Sequence, residues 1–308
     1  MHGILLVDKP EGITSNDVVR IVKRIVKPSK VGHSGTLDPA ASGLIVILVG
    51  SGTRTLDYLD ERRKSYSLTV RLGEESDTCD REGTVIRSED PSGIDAAQIE
   101  KVLEGYRGVM DQIPPHYSAI KKEGTPLYKL ARKGVFPPLE PRKVEIFSLS
   151  MTAWTSPFLD LDLVASKGTY ARSLARDIGR ELGVGGRLER LRRTAGGAFA
   201  VEDSLTVAEI ESGGRDIIRE HLIDLAKALS HIPDIQVSAP ELRRLMRGNS
   251  LEIARSRLPR SDSSFNGQER LLKIASSTGS LVILVRPEPK GVEIAIRPVK
   301  VFSTLSDE

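Results

Sequence analysis

The stretch GHSGTLDPAASGLIVILVG, residues 32–50, holds a single carboxylate, Asp38, in a loop otherwise made of Gly, Ser, Thr, Ala, Leu and Pro, with His33 five residues before it. Pro39 disfavours the helical region for Asp38 and pushes it toward an extended backbone. Gly35 and Gly43 allow a tight turn or a close approach of the backbone to a ligand. A lone acid in such a loop is either a reagent, a nucleophile or a stabilising anion, or the first residue of an Asp-Pro turn. Paired-acid hydrolysis would need a second carboxylate facing the same bond, and none is near in sequence. A phosphate-cradling P-loop would need a Gly-Lys-Ser/Thr end, which is absent.

Three further segments have the make-up of ligand-facing loops. DKPEGITS, residues 8–15, runs directly into a helix start, where backbone N–H groups can receive phosphate. Lys64 and Tyr66 open the alternating run KSYSLTVRLG, and SKGTYAR puts Tyr170 and Arg172 in the first turn of a helix, with Lys167 on the approach. Only 4% of the chain is aromatic, which draws attention to tyrosines beside such loops. Taken singly, Tyr66 and Tyr170 read better as core or rim tyrosines, and Arg172 as a surface cation.

The elements that must position these residues follow from periodicity. TSNDVVRIVKRIV predicts a helix capped by Thr14 or Ser15, with Val18, Val22 and Ile25 at helical spacing. A buried strand is expected over Ile45–Val49. Tyr66, Leu68, Val70 and Leu72 share one face of a strand, as do Leu159, Leu161 and Leu163. AAQIEKVLEGY and PLYKLARKG predict helices, the second starting at Pro126 and stopping at Gly134. YARSLARDIGRELG predicts another, with Leu174, Ile178 and Leu182 buried and Gly183 as its stop. Helices are also expected at Val207–Glu211 and Arg215–Leu229. This mixture without regular βαβ alternation predicts an α+β fold with a mostly antiparallel or mixed sheet. Past SHIPDIQVSAP come one short helix, PELRRLMRG, and β-type runs, with RSRLPRSDSSFNGQE as an exposed loop between them. The chain therefore divides near residue 235, into a larger domain of residues 1–234 and a small β-rich domain of residues 235–308.

At 308 residues the chain can bury a sizeable core. Its net charge of +3 is small, but the charges are unevenly spread. Lys121, Lys122, Lys129, Arg132, Lys133, Arg142 and Lys143 face only Glu123 and Glu140 in one segment. Lys167, Arg172, Arg176, Arg180, Arg187, Arg190, Arg192 and Arg193 dominate another, while acids gather in GEESDTCDRE. Such asymmetry suits a polyanion, although charge alone reads slightly better as a pair of solvated helices. Cys79 is the only cysteine, which excludes an intrachain disulfide and argues against a cysteine metal site. The N-terminus has no secretory pattern, and the longest apolar run, Leu44–Val49, is too short to span a bilayer. A soluble, cytoplasmic protein is expected.

The motifs GHSGTLDPAASGLIVILVG, KSYSLTVRLG, PPHYSAIKKEGTPLYKLARKG, SKGTYARSLARDIG and LRRTAGGAF occur in the order found in the TruB family of tRNA pseudouridine synthases, and DKPEGITSNDVV and LGEESDTCDREG match it too. The resemblance covers residues 1–230. The C-terminal segment looks like the small PUA-type RNA-binding domain of bacterial members. The resemblance implies isomerisation of uridine to pseudouridine in the T-loop of tRNA, with the target base flipped out of its stack. It implies Asp38 as the catalytic carboxylate, Arg172 as the cation paired with it, and Tyr66 as the ring that stacks on the uridine and takes the proton from C5. Tyr170, Leu191 and Lys64 would contact the bound base, and His33 would hold the rearranged T-loop. The basic insert around 118–143, through Lys121, Lys122, Lys129, Arg132 and Lys133, would contact the RNA backbone. No metal, no cofactor, no protein partner and a monomeric state are expected. Two positions depart from the family pattern: Ala171 stands where many members carry a bulky aliphatic residue, and Cys79 where a small residue is usual. Asp77 and Asp80 match no metal-ligand spacing and suit a structural or RNA-contacting loop.

Two other classes compete. A T-arm chaperone would bind tRNA without catalysis, against which the intact Asp38, Tyr66 and Arg172 argue. Phosphoryl transfer through an aspartyl nucleophile would need further carboxylates for magnesium. Related enzymes of H/ACA particles work with a guide RNA, but the length and the lack of charged tails favour the stand-alone type.

Overall fold

Apolar alternation and two unbroken apolar runs lay out the main sheet. A computed structural model describes residues 1–60, 62–259, 271–276 and 281–303. Its strands are β1 (Gly3–Lys9), β2 (Val31–His33), β3 (Ser42–Val49), β4 (Arg63–Leu72), β5 (Glu74–Ser76), β6 (Val85–Ser88), β7 (Gly108–Gln112), β8 (Lys121–Lys122) and β9 (Thr125–Pro126). They continue with β10 (Arg142–Thr155), β11 (Phe158–Ser166), β12 (Gly186–Gly196), β13 (Phe199–Ala200) and β14 (Leu205–Thr206), then β15 (Leu251–Ala254), β16 (Leu272–Ala275), β17 (Leu281–Lys290) and β18 (Glu293–Ser303). The helices are α1 (Ser15–Val26), α2 (Ala96–Gly105), α3 (Leu127–Ala131), α4 (Ala171–Glu181), α5 (Val207–His221), α6 (Leu225–Ala228) and α7 (Ala239–Met246).

The main sheet runs β14-β1-β3-β12-β4-β11-β10-β7. It is mixed: β1 with β14 and β3 with β12 are parallel, and the other pairs are antiparallel. Strands β1 and β3 are covered on both faces, which is why they read as continuous apolar runs. Leu5, Val7, Ile45 and Ile47 pack with Val18 and Val22 of α1 and Ile210 of α5. Ile4, Leu6, Leu44, Val46 and Leu48 face the other way, onto Leu225, Leu229 and Ile232 and onto Val282, Leu284 and Phe302. At the other end of the sheet, Leu68, Val70, Leu161 and Leu163 pack under Leu174 and Ile178 of α4 and Ile99 and Leu103 of α2. The C-terminal strands form a separate antiparallel sheet, β15-β18-β17-β16, with its own core around Ile283, Ile296 and Leu245 of α7.

Several expectations need correcting. The buried strand over Ile45–Val49 begins earlier, at Ser42. The break at Gly214 divides α5 as the separate helices expected from Val207 and Arg215 require, but the second ends at His221 and not at Leu229, and Asp224 caps a separate α6 after Ile223 has paired with Ile4. The expected loop at 255–269 lies outside the described residues from 260 onward, and Arg255–Arg257 form a 3-10 turn. The largest correction concerns the second basic cluster, which is not a pair of solvated helices. GRLERLRRTAG is β12, in the middle of the sheet, and register slips after Leu188 and after Arg193 hide its alternation. The cations of the cluster are matched by acids: on β12, Arg187 meets Glu74 of β5 at 2.9 Å and its own strand's Glu189 at 2.7 Å, and Arg192 meets Asp8 of β1 at 2.7 Å, while Arg180 of α4 meets Glu75 at 2.6 Å. The acidic segment GEESDTCDRE thus supplies partners for the basic one.

Candidate active site

The Asp38 loop is fastened from three sides. Lys9, at the end of β1, is fully buried, and its Nζ donates to the carbonyls of Pro10 at 2.8 Å, Ile13 at 2.9 Å and Pro39 at 3.3 Å. Burial pushes its ammonium below the usual lysine range, and Glu11 and Asp38 pull the other way. The N–H of Gly12 also donates to the Pro39 carbonyl, at 2.9 Å. Ser15 Oγ donates to Leu37 O at 3.1 Å and accepts from Leu37 N at 2.9 Å. Arg193, 4% exposed, donates through Nε to Leu44 O at 2.6 Å and through Nη2 to Gly35 O at 3.2 Å. The DKPEGITS loop therefore braces the Asp38 turn. At the start of α1 the reciprocal bonds of Thr14 and Asp17 engage the N–H groups of those two residues.

Ala41 N donates to Asp38 O at 3.1 Å, closing a four-residue turn with Pro39 at its second position. Asp38 is thus both the turn residue and the exposed acid. Its carboxylate is 43% exposed, and Oδ2 lies 3.0 Å from Arg172 Nε. Arg172 sits in the first turn of α4 with its side chain 8% exposed. Its remaining nitrogens are occupied: Nη2 donates to Tyr117 O at 3.0 Å, and Nη1 donates to Thr78 O at 3.4 Å and lies 3.5 Å from Asp80 Oδ2. The guanidinium has little freedom left, so it holds the carboxylate in one direction. Asp80 thereby gains a structural role, and Asp77 gains one too by accepting from Thr84 N at 2.8 Å. The partners of Asp80, Thr78, Tyr117, Lys9 and Ser15 escape the sequence reading, because they are distant in the chain and leave no local pattern.

Asp38, Ala41, Arg172, Leu188 and Leu191 line one small cleft. A larger concavity of about 460 Å³ lies between Asp60, Arg62, Arg63, Phe147 and Gly197 and shares no residue with it. Tyr66 lies on β4 opposite Leu163 of β11 and Arg193 of β12, and Leu191 lies opposite Leu68. Tyr66 and Leu191 both pack, partly buried, on the core beneath α4. Tyr170 is the N-cap residue of α4. Burial pushes its phenol above the usual tyrosine range, with smaller effects from Ser118, Arg142, Arg172 and Asp38 around it. The Lys64 ammonium lies against Gly35, 2.8 Å from where a β-carbon would stand. His33 is half-buried at the end of β2, paired with Ile47. In the insert, Lys121, Lys129, Arg132 and Lys133 are exposed, whereas Lys122 is half-buried and donates to Pro138 O at 3.0 Å.

Comparison with known proteins bears on this arrangement directly. Residues 23–171 match the model of the TruB family pseudouridylate synthase N-terminal domain, and residues 172–230 match that of the tRNA pseudouridylate synthase B C-terminal domain. A tRNA pseudouridine synthase B of Clostridium perfringens is 36% identical over 96% of this chain and 98% of its own length. The chain belongs to the TruB family of pseudouridylate synthases. Another member, from Syntrophotalea carbinolica, is 42% identical over 80% of each chain. A chain in the crystal structure of a Cbf5-Nop10-Gar1 complex superposes with a TM-score of 0.70 over 98% of this chain and 85% of its own, at 24% identity, which shows a shared fold. Asp38, Tyr66 and Tyr170 fall in the first family model and Arg172 and Leu191 in the second, so the ion pair joins the two matched segments.

Proposed function

We propose that this chain isomerises uridine to pseudouridine in the T-loop of tRNA, with Asp38 as the reacting carboxylate. The observation that carries the reading is the Asp38–Arg172 pair at 3.0 Å, with an exposed acid aimed by a buried, fully engaged guanidinium. The reaction breaks the bond between uracil N1 and ribose C1′ and forms one from C5 to C1′. The C5 proton leaves and N1 gains one, so no electrons are lost or gained overall and the reaction calls on neither metal nor cofactor. The Asp38 carboxylate supplies negative charge to the separating fragments, as a covalent bond or as an ion. Tyr66 stacks on the flipped base and accepts the C5 proton, while Tyr170, Leu191 and Lys64 hold its edge and His33 supports the opened loop. A base on one aromatic ring gains roughly 1–3 kcal/mol, so phosphate contacts from Lys121, Lys129, Arg132 and Lys133 provide most of the affinity.

Residues 1–234 form the catalytic domain in this reading, with 235–308 as a PUA-like domain that extends the RNA surface. The protein works as a cytoplasmic monomer without a protein partner. No helix among the described residues is long and apolar enough to cross a membrane. The test is tritium release from a tRNA transcript carrying 5-tritiated uridine. Release that disappears when the T-loop uridine is replaced by cytidine is expected. Tight binding of tRNA with no release would instead make this a T-arm chaperone.

A further inference from the structure

Helix α4 carries Arg172, yet it starts without a local cap. Helices α1, α2 and α5 open on Thr14, Asp95 and Thr206, whose side chains accept from the N–H three residues on. The corresponding residue of α4 is Tyr170, with no side-chain cap. Its backbone is held from another element. Gln112 Oε1 accepts from Tyr170 N at 2.8 Å, and Gln112 Nε2 donates to Tyr170 O at 3.2 Å. One side-chain amide thus forms both bonds that a neighbouring strand would form. Gln112 is 2% exposed and ends β7, immediately before the segment that leads into the basic insert.

The same segment is tied to α4 further along. Ser173 Oγ donates to Ile113 O at 2.8 Å, Arg176 Nη2 donates to Ile113 O at 3.0 Å, and Arg172 Nη2 donates to Tyr117 O at 3.0 Å. Of these ties, only the Gln112 pair acts on the N-cap residue itself. Two bonds to the backbone of a single residue, one to its N–H and one to its C=O, fix both its distance and its rotation, which one bond cannot do.

We propose that Gln112 is a positioning residue for the reaction: it sets the start of α4, and so the Tyr170 ring and the Arg172 guanidinium that aims Asp38. It acts from the root of the insert, so the placement of the insert and the aim of the carboxylate share one anchor. This rests on the reading of Asp38, Arg172 and Tyr170 as the groups that meet the target uridine. A small misplacement of reacting groups lowers turnover far more than it lowers binding.

The test is Gln112→Met, which keeps the length and removes both bonds, measured on the full chain with a tRNA transcript. The expected result is a kcat lower by roughly 10- to 100-fold, a tRNA dissociation constant changed by less than about threefold, and a melting midpoint only a few degrees lower. Ser173→Ala serves as the control, because it removes a tie to the same segment while Arg176 keeps Ile113 in place; its kcat stays within about threefold of the original chain. If Gln112→Met does not fold, Gln112→Glu is measured under the same criteria, since it keeps the acceptor for Tyr170 N and loses the donor. A folded Gln112 variant with the original kcat overturns the proposal. So does an equal loss of kcat in Ser173→Ala, or a loss of tRNA affinity that matches the loss of rate. All rates are taken relative to the original chain, whose own tritium release stands or falls with the synthase reading and not with Gln112.

Discussion

The backbone of Asp38 is held through its neighbours Leu37 and Pro39, and its carboxylate through Arg172. The guanidinium uses a different nitrogen for each of three segments: Nε for Asp38, Nη2 for the Tyr117 carbonyl, and Nη1 for both the Thr78 carbonyl and Asp80. A lysine has one ammonium on a flexible stem and cannot span partners on three segments. Arg172→Lys should therefore lower turnover by about 100-fold or more. It should also lower stability by about 1–3 kcal/mol, because buried acceptors lose their donors. Single-turnover tritium release and urea unfolding check the two effects. Asp38 and Arg172 were legible in the sequence through their motifs. The loop of Asp80 was legible as structural or RNA-contacting but its partner was not, since an acid that fixes a cation 92 positions away looks, in sequence, like any acid in a polar loop.

At the scale of elements, the start of β3, just after the Asp38 turn, lies very close to the backbone of β12. Gly43 has φ +99, and a β-carbon there would stand 2.2 Å from the Arg193 carbonyl. Gly43→Ala should cost about 1–3 kcal/mol from backbone strain alone. Activity should fall further, because β12 would be pushed off the loop that Arg193 holds; thermal melting and tritium release measure the two. Helices α2 and α4 meet through Tyr106, whose hydroxyl bonds Glu181 and whose phenol is pushed well above 10 by burial, as Tyr170 is to a lesser degree. Both folded-state values lie above the unfolded one. Their contribution is therefore complete below pH 10, and is lost as pH rises, since the unfolded chain releases those protons first. Melting midpoints should fall steeply above about pH 10, and Tyr106→Phe should flatten that alkaline limb. An unchanged limb would contradict the burial argument. Helix periodicity and strand alternation revealed α1, α2, α4, β4 and β11 in advance. Strand β12 stayed hidden because its polar residues point to ion-pair partners and its register slips twice.

For the whole molecule, the two basic segments separate into different kinds of charge. Cations of α4 and β12 are largely matched inside the protein, whereas Lys121, Lys129, Arg132 and Lys133 of the insert face solvent. Only unmatched cations release counterions from RNA on binding. Replacing Lys129 and Lys133 by alanine should reduce the slope of log affinity against log salt by about two, at most. Arg187→Gln, which removes a cation held by Glu74 and Glu189, should leave the slope within error. Equal changes would mean that β12 meets the RNA backbone directly. Charge counts in the sequence could not draw this distinction, because pairing is set by which strands become neighbours.

Asp38→Asn keeps the size and the turn while removing the charge, so it isolates the carboxylate. Tritium release from 5-tritiated uridine in tRNA, measured alongside tRNA binding, is the most direct test. Release by the original chain, a loss of at least about 1,000-fold in Asp38→Asn and unchanged binding are the expected outcome. Release by Asp38→Asn at a rate near the original would contradict it, and would leave Asp38 as the first residue of a turn.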